Sequence, residues 1–238
     1  MIIDPKKIEE KKLIELISPK NKTILEIGCG QGDIAGILAP LCKQYIGIDV
    51  DQNSINQDQK LTSKSTNLTF YVKSGDQTEF DNETFDTVLM HLCLHEVPPQ
   101  KQGLVLQEVH RILKKNGQLL IIDPTEPAGQ VQSIFNVGYQ NFWFFHHSTV
   151  VQHSIEVIKQ AVANGLYQPK QTSQLKIEFI FKDFDEIFNF VKDGFQDVNW
   201  HQKNLDILKT DLIKITGNSN GAITLIDDLT ITNLIKIS

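Results

Sequence analysis

The stretch Thr23–Gly32, T-I-L-E-I-G-C-G-Q-G, constrains this chain more than any other. Thr23–Ile27 is apolar without polar alternation, the pattern of a strand covered on both faces. Glycines follow at Gly28, Gly30 and Gly32. Glycine accepts positive φ and lets another group approach the backbone closely. A helix is expected to begin at Asp33. Such a strand–turn–helix predicts free backbone N–H groups turned toward a nucleotide-like ligand. Its place is the C-terminal edge of an open sheet.

The next hundred residues repeat the same grammar. Strands are expected at Gln44–Val50, Leu68–Val72, Phe85–Met90 and Gln118–Ile122. Helices are expected at Pro5–Ile17, Ile34–Leu41, Asn53–Ser63 and Lys101–Leu113. The last of these puts Leu104, Val105, Val109, Ile112 and Leu113 on one side and Lys114 and Lys115 in its final turn, where the helix dipole favours cations; Asn116-Gly117 stops it. Five strand–helix alternations mean βαβ units, right-handed crossovers and a mostly parallel sheet. The segments at its C-terminal edge, Gly28–Gly32, Asp49, Asp76-Gln77, Met90–His95 and Asp123, should converge on one crevice.

Beyond Pro124 the alternation lapses. Thr125–Thr149 is rich in aromatics, and Phe142–Phe145 reads as lid or core. Helices are expected at Thr149–Asn164, Asp183–Lys192 and Leu205–Ile215. Ala222–Ile226 and Leu229–Ile237 read as two closing strands joined at Asp227-Asp228, with Gln196–Trp200 as the other candidate for the sixth strand. The expected organisation is one domain over 1–238: a cap helix in 1–21, a ligand-binding core in 22–123, a substrate-facing lid and helix in 124–202, and a closing helix and strands in 203–238. A stretch of ~40 residues between core elements needs a role, so Thr125–Tyr167 is expected to fold over the site.

Composition narrows the class. Hydrophobic residues make up 40% and charged residues 22% of 238, enough for a substantial core. The net charge of −6 and a single arginine, Arg111, argue against a nucleic-acid surface. Cys29, Cys42 and Cys93 show neither paired nor metal-ligand spacing, which fits a reducing compartment. No metal site is expected: His146-His147 has no evident third ligand. The N-terminus has no long apolar core and no apolar run approaches a membrane span. The expectation is a cytoplasmic protein, monomer or homodimer.

Five ordered landmarks then carry a resemblance: I-L-E-I-G-C-G-Q-G, G-I-D-V, G-D-Q, F-D-T-V-L-M-H-L-C-L-H-E-V and E-V-H-R-I-L-K-K-N-G-Q-L-L-I-I-D. Over roughly Lys22–Asp123 the chain resembles the class I S-adenosylmethionine-dependent methyltransferases, most closely their small-molecule, type 11-like branch. The resemblance implies an α/β, Rossmann-like, seven-stranded, mostly parallel sheet with an antiparallel last strand, helices on both faces and a helical lid after the fifth strand. It implies S-adenosylmethionine as cofactor and S-adenosylhomocysteine as product. It implies cofactor contacts at Glu26, Gly28, Cys29, Gly30, Gly32, Asp49, Val50, Asp76, Gln77, Met90 and His91. Asp49 would accept the ribose hydroxyls and Asp76 the adenine amine, with Gln77 beside the ring. The side chain of Cys29 reads as packing.

The implied reaction is in-line displacement of a methyl group from a sulfonium, onto an O, N or C atom of a small-molecule acceptor. The protein supplies alignment and, for some acceptors, a base. His91, His95 and Asp123 are the catalytic candidates, with Glu96, His146 and His147 behind them; His110 reads as packing. Three other readings compete. A protein or RNA methyltransferase shares the scaffold, but the Asn/Asp-Pro-Pro-aromatic run of the amino-methylating enzymes is absent after Met90. A non-catalytic cofactor-binding sensor or partner module would keep the same binding residues. A nicotinamide-dependent dehydrogenase would want G-x-G-x-x-G, where this chain has Asp33.

Overall fold

The structure, a computed structural model, describes residues 1–56, 65–143, 147–195, 198–217 and 221–237. Its strands are β1 (Ile2–Ile3), β2 (Thr23–Ile27), β3 (Gln44–Asp49), β4 (Leu68–Val72), β5 (Phe85–His91), β6 (Leu113–Pro124), β7 (Tyr167–Phe181) and β8 (Ile223–Lys236). Its α-helices are α1 (Ile8–Ile17), α2 (Asp33–Leu38), α3 (Pro99–Ile112), α4 (Gln130–Gly138), α5 (His147–Ala163), α6 (Phe184–Gly194) and α7 (Gln202–Thr216). A further helical turn covers 52–56. The sheet order is β1-β7-β8-β6-β5-β2-β3-β4. The pairs β4–β3, β3–β2, β2–β5 and β5–β6 are parallel, and β1 pairs antiparallel to β7 at the edge.

The residues group into two compact units. One comprises Glu10–Asp123, Gln152–Ser173 and Thr230–Ser238. Here β2 is buried along all five residues, as its unbroken apolar run predicts. Leu25 and Ile27 of β2, Val88 and Met90 of β5, and Leu119 and Ile121 of β6 form a core with Val105, Val109 and Ile112 of α3. Each such side chain contributes roughly 1.5–3 kcal/mol relative to exposure, so α3 is held by its apolar stripe. The strand order reverses at β2, whose neighbours β3 and β5 lead to opposite edges. That reversal opens a crevice beyond the C-terminal ends of these strands.

The other unit comprises Met1–Glu9, Pro124–Val151 and Gln174–Leu229. Val131, Ile134 and Val137 of α4 pack with Phe184, Ile187 and Val191 of α6 and with Leu208 and Leu212 of α7. Aromatic edges close this core: Phe135 on Phe190 at 5.1 Å, Tyr139 on Phe195 at 5.1 Å, and Phe142 on Trp200 at 5.0 Å between ring centres. Asp183 caps α6 by accepting from the Glu186 N–H at 2.9 Å. No helix among the described residues is long and apolar enough to cross a membrane.

Several expectations change. The sheet has eight strands where seven were expected: Ile2–Ile3 is too short for any periodicity to show. β7 has no counterpart among the expected elements. Its first half, Y-Q-P-K-Q-T-S-Q, is polar and contains Pro169, so only the alternating Leu175, Ile177, Phe179 and Phe181 carry a strand signal. The closing strands are one: Leu225, Asp227, Leu229 and Ile231 are all buried, so the period of two runs in phase through Asp227-Asp228 and no turn forms there. Val198–Trp200 is not a strand, and 196–197 lie outside the described residues. Lys114 and Lys115 belong to β6 and not to a helical last turn, because α3 ends at Ile112 and extended backbone follows from Leu113. For the expected helix Asn53–Ser63, residues 57–64 lie outside the described residues, as do Phe144, Phe145 and His146.

Candidate functional site

The crevice at the strand ends holds a cavity of about 390 Å³. Its wall draws on the turn after β2 (Gly28), the end of β3 (Asp49, Val50), the loop after β4 (Lys73, Ser74, Gly75, Asp76), the loop after β5 (Leu92, Cys93, Glu96, Val97, Pro98) and the start of α3 (Lys101, Val105). Five of the sequence-predicted residues line it: Gly28, Asp49, Val50, Asp76 and Glu96. Val50, an apolar side chain in the cavity lining, is 72% exposed.

The glycine turn is pinned to the strand beside it. Gly28 and Cys29 donate their N–H groups to the Ile48 carbonyl at 2.8 and 3.1 Å, and Gly32 donates to the Cys29 carbonyl at 2.9 Å. Gly30 donates to Asp49 Oδ2 at 2.9 Å. Four N–H groups of the turn are thus spent inside the protein, which corrects the expectation that the turn offers them to a ligand. Gly28 has φ 73°, and a Cβ there would lie 2.3 Å from Cys93 Sγ. Only glycine fits this close approach of the turn to the loop after β5.

Asp49 is therefore a hinge of the site. One carboxylate oxygen takes Gly30, and the other accepts from the Asp51 N–H at 2.9 Å. A carboxylate offers about four lone-pair positions, so two acceptor sites remain. Asp76 accepts from the Ser74 hydroxyl and pairs with Lys101 at 3.0 Å. The Ser74 hydrogen bond, seconded by Lys101, holds the Asp76 carboxyl below its ordinary range. Lys73 pairs with Glu79 at 2.6 Å.

Below the turn, Glu26 is buried and accepts from the Tyr45 hydroxyl at 2.7 Å. Burial and then the Glu26 charge push the Tyr45 phenol well above its ordinary pKa. Met90 is fully buried in the core, and His91 stands at the end of β5 paired with Ile122. Gln77 is exposed beside the cavity wall without lining it.

His95 and Asp123 meet, as their positions at the sheet edge predict. His95 lies in the short 3-10 turn Leu94–Glu96 and is 5% exposed. Its Nδ1 is 2.8 Å from Asp123 Oδ1, and its Nε2 is 3.1 Å from Glu96 Oε1. Asp123 also accepts the N–H groups of Cys93 at 3.1 Å and His95 at 3.2 Å. Burial alone would lower the imidazole pKa. The bonds and charges of Asp123 and Glu96 outweigh it and raise His95 from 6.5 to about 9. The resting trio is a buried imidazolium between two carboxylates, and of the three only Glu96 lines the cavity. Cys93 also lines it; burial, then Asp123, pushes its thiol well above the ordinary value, so it is no thiolate.

Outside the cavity, His147 is buried, stacks on Tyr139 at 4.9 Å and has Nδ1 2.9 Å from Gln132 Nε2. His110 packs edge-on against Tyr167, with Nε2 3.2 Å from the Ile237 carbonyl, in keeping with a packing role. The lining residues outside every segment that the sequence singled out for the site are Lys73, Ser74, Pro98, Lys101 and Val105. Lys101 had a weak signal, a cation one turn into a helix that follows a sheet-edge loop. Its contact with Asp76 spans 25 residues and no local spacing announces it.

Comparison with known proteins gives a consistent picture. Residues 25–121 match the model of the methyltransferase domain family. Across 50% of this chain, 27% of residues are identical to the demethylmenaquinone methyltransferase of Lactobacillus johnsonii, 49% of which is covered. The chain spans about half the length of the curated relatives it matches. Among solved structures, the YcgJ protein of Bacillus subtilis superposes with a TM-score of 0.65 at 19% identity, covering 96% of this chain and 98% of that one. The N-methyltransferase NodS of Bradyrhizobium japonicum, in complex with S-adenosylhomocysteine, superposes with a TM-score of 0.55 at 15% identity, covering 97% of this chain and 86% of that one.

Proposed function

Because residues 25–121 match the methyltransferase domain family, we propose that the chain is a class I S-adenosylmethionine-dependent methyltransferase that moves a methyl group from S-adenosylmethionine to an oxygen, nitrogen or carbon atom of a small-molecule acceptor. The observation that carries this reading is the convergence of four consecutive strand-end segments and the start of α3 on one cavity with Asp49 and Asp76 in its wall. Its volume lies within the ~300–1,000 Å³ of small-molecule sites.

The donor set suits this cofactor better than a dinucleotide. A pyrophosphate wants free N–H groups at a glycine turn. Here those of Gly28, Cys29, Gly30 and Gly32 are engaged. With these N–H groups engaged and open space at Gly30, the turn holds an anion poorly, which favours a cationic group. Asp49 keeps two acceptor sites, the number a ribose diol needs. The proposed holders are Gly28, Asp49, Val50 and Asp76, with Glu26, Cys29, Gly30 and Gly32 shaping the turn that carries them. Gln77, Met90 and His91 support the same edge from outside the cavity wall. The NodS complex with S-adenosylhomocysteine is a precedent for this ligand on this fold.

When bound, the cofactor supplies an electrophilic methyl group on a sulfonium. The chain's task is to align an acceptor and to manage a proton. We assign Glu96 as the carboxylate that faces the acceptor side and His95 and Asp123 as its positioning pair. His95, protonated and fixed by Asp123, holds the Glu96 carboxylate with a charge-assisted bond. Isothermal calorimetry with S-adenosylmethionine tests binding, and transfer of a labelled methyl group to a panel of phenols, amines and enolisable carbonyls tests turnover. Saturable binding plus transfer supports the proposal. No heat of binding at millimolar cofactor would end it, and binding without transfer to any acceptor would favour a sensor.

A further inference from the structure

A second hollow lies at the opposite edge of the parallel strands, with a volume of about 420 Å³. Four ammonium groups line it: Lys22 just before β2, Lys114 and Lys115 near the start of β6, and Lys170 on β7. One carboxylate, Asp86 near the start of β5, faces them. Four positive charges against one negative leave three formal positive charges, on a chain whose net charge is −6.

The single carboxylate is already committed. Asp86 pairs with Lys114 at 2.8 Å and accepts the Thr23 N–H at 2.8 Å. Lys22 is half-buried; its ammonium donates to the Ile17 carbonyl and lies 3.5 Å from Thr87 Oγ1. Lys115 and Lys170 are exposed and make no ion pair among the described residues. The pKa of Lys22 lies below its ordinary value. Burial is the main cause, Asp86 opposes it, and the charge of Lys170 adds to it. Like charges thus crowd one concave surface without compensation, an arrangement that draws counter-charge from solution.

We infer that this hollow binds a phosphate-bearing anion, held by Lys22, Lys115 and Lys170. Lysine ammoniums bind phosphate as point charges and need no bidentate fork, which matters in a chain with one arginine. The volume exceeds what a lone inorganic ion fills, so the site takes a diphosphate or a phosphate ester, with the Asn116 amide in its lining as a neutral donor. An anion here relieves the repulsion between Lys170 and Lys22 and raises the Lys22 pKa toward its ordinary value. The other charged groups facing Lys22 are Asp86, Lys114 and Lys115, and only Asp86 opposes that repulsion. This inference is independent of the methyltransferase reading.

The test titrates the full chain with inorganic pyrophosphate at constant ionic strength, read by calorimetry and by the Cε shift of Lys22. Saturable binding is expected, with a rise in the Lys22 titration midpoint. The variant Lys115→Ala/Lys170→Ala should weaken binding about tenfold or more, while Lys43→Ala, at an exposed lysine outside the hollow, should leave it unchanged. Lys170→Ala alone, at an exposed residue, gives the same direction should the double variant fold poorly. No saturable binding at millimolar pyrophosphate, or equal losses in the Lys43 and Lys115/Lys170 variants, would overturn the inference.

Discussion

Replacing Asp123 by Asn tests the buried trio most directly. The raised pKa of His95 ties folding stability to its proton. A group whose folded pKa exceeds its unfolded value stabilises fully below the unfolded value and loses that contribution as pH rises through the folded one. For His95 the window runs from 6.5 to about 9. At 1.36 kcal/mol per unit, the proton-linked contribution is about 3 kcal/mol below pH 6, and it vanishes by about pH 10. Asp123→Asn removes the charge that opposes the cost of burying the imidazolium. His95 should then be neutral at pH 7, and the variant should lose about 2–3 kcal/mol at pH 6. At pH 10, where His95 is neutral in both proteins, the loss should shrink to about 1 kcal/mol, from weakened acceptance of the Cys93 and His95 N–H groups. Hydrogen exchange of β5 and β6 amides reads this stability within the unit itself. Imidazole shifts of His95 follow the proton. An equal cost at pH 6 and pH 10, or a variant His95 still protonated at pH 8, would refute the reasoning.

Three further outcomes are expected. Asp49→Asn should weaken S-adenosylmethionine about 10–100-fold by calorimetry, because an amide loses charge-assisted acceptance from ligand hydroxyls while still reaching Gly30; unchanged affinity would remove Asp49 from the site. Gly28→Ala should cost about 2–4 kcal/mol, combining a Cβ 2.3 Å from Cys93 Sγ with positive φ. Adding Cys93→Ala removes the sulfur but leaves Cys93 Cβ at 2.8 Å, so it should recover only part of the steric share, which a denaturation double-mutant cycle would measure. Glu108, hydrogen-bonded by Arg111 and Thr78, has its pKa lowered from 4.5 to about 2. Its contribution is present above pH 4.5 and is lost as pH falls toward 2; Glu108→Gln should cost about 1–2 kcal/mol at pH 7 after solvent screening of the partly exposed Arg111, with no difference near pH 2.

The parts of this protein visible from sequence are those where local pattern and tertiary role coincide. β2 and β3 announce themselves as apolar runs that end at Gly28 and Asp49, because a strand buried on both faces leaves no room for polar alternation. β7 did not: its first half is polar, and its second half alternates only over Leu175–Phe181. β8 misled for the opposite reason. Asp227-Asp228 reads as a turn by residue type, yet Asp227 lies in phase with Leu225 and Leu229 and is buried with them, so register overrode turn propensity.

The same division holds at the site. Residue identity marked Asp49, Asp76, His95 and Asp123, but not which of them faces a ligand. His95 looked like a base because imidazole titrates near neutral pH. Two carboxylate neighbours, one from the end of β6 and one adjacent in sequence, raise its pKa to about 9, which favours the cation over the free base. The turn shows a related inversion. Its glycines suggested N–H groups for an anion, but the geometry that demands glycine at Gly28, a close approach to Cys93, accompanies the bonding of those N–H groups to β3 and, for Gly32, within the turn. What the turn leaves at Gly30 is open space, where a Cβ would meet nothing within 4 Å. A glycine motif therefore specifies how near a ligand can come; the hydrogen bonds already made within the turn decide which charge that ligand carries.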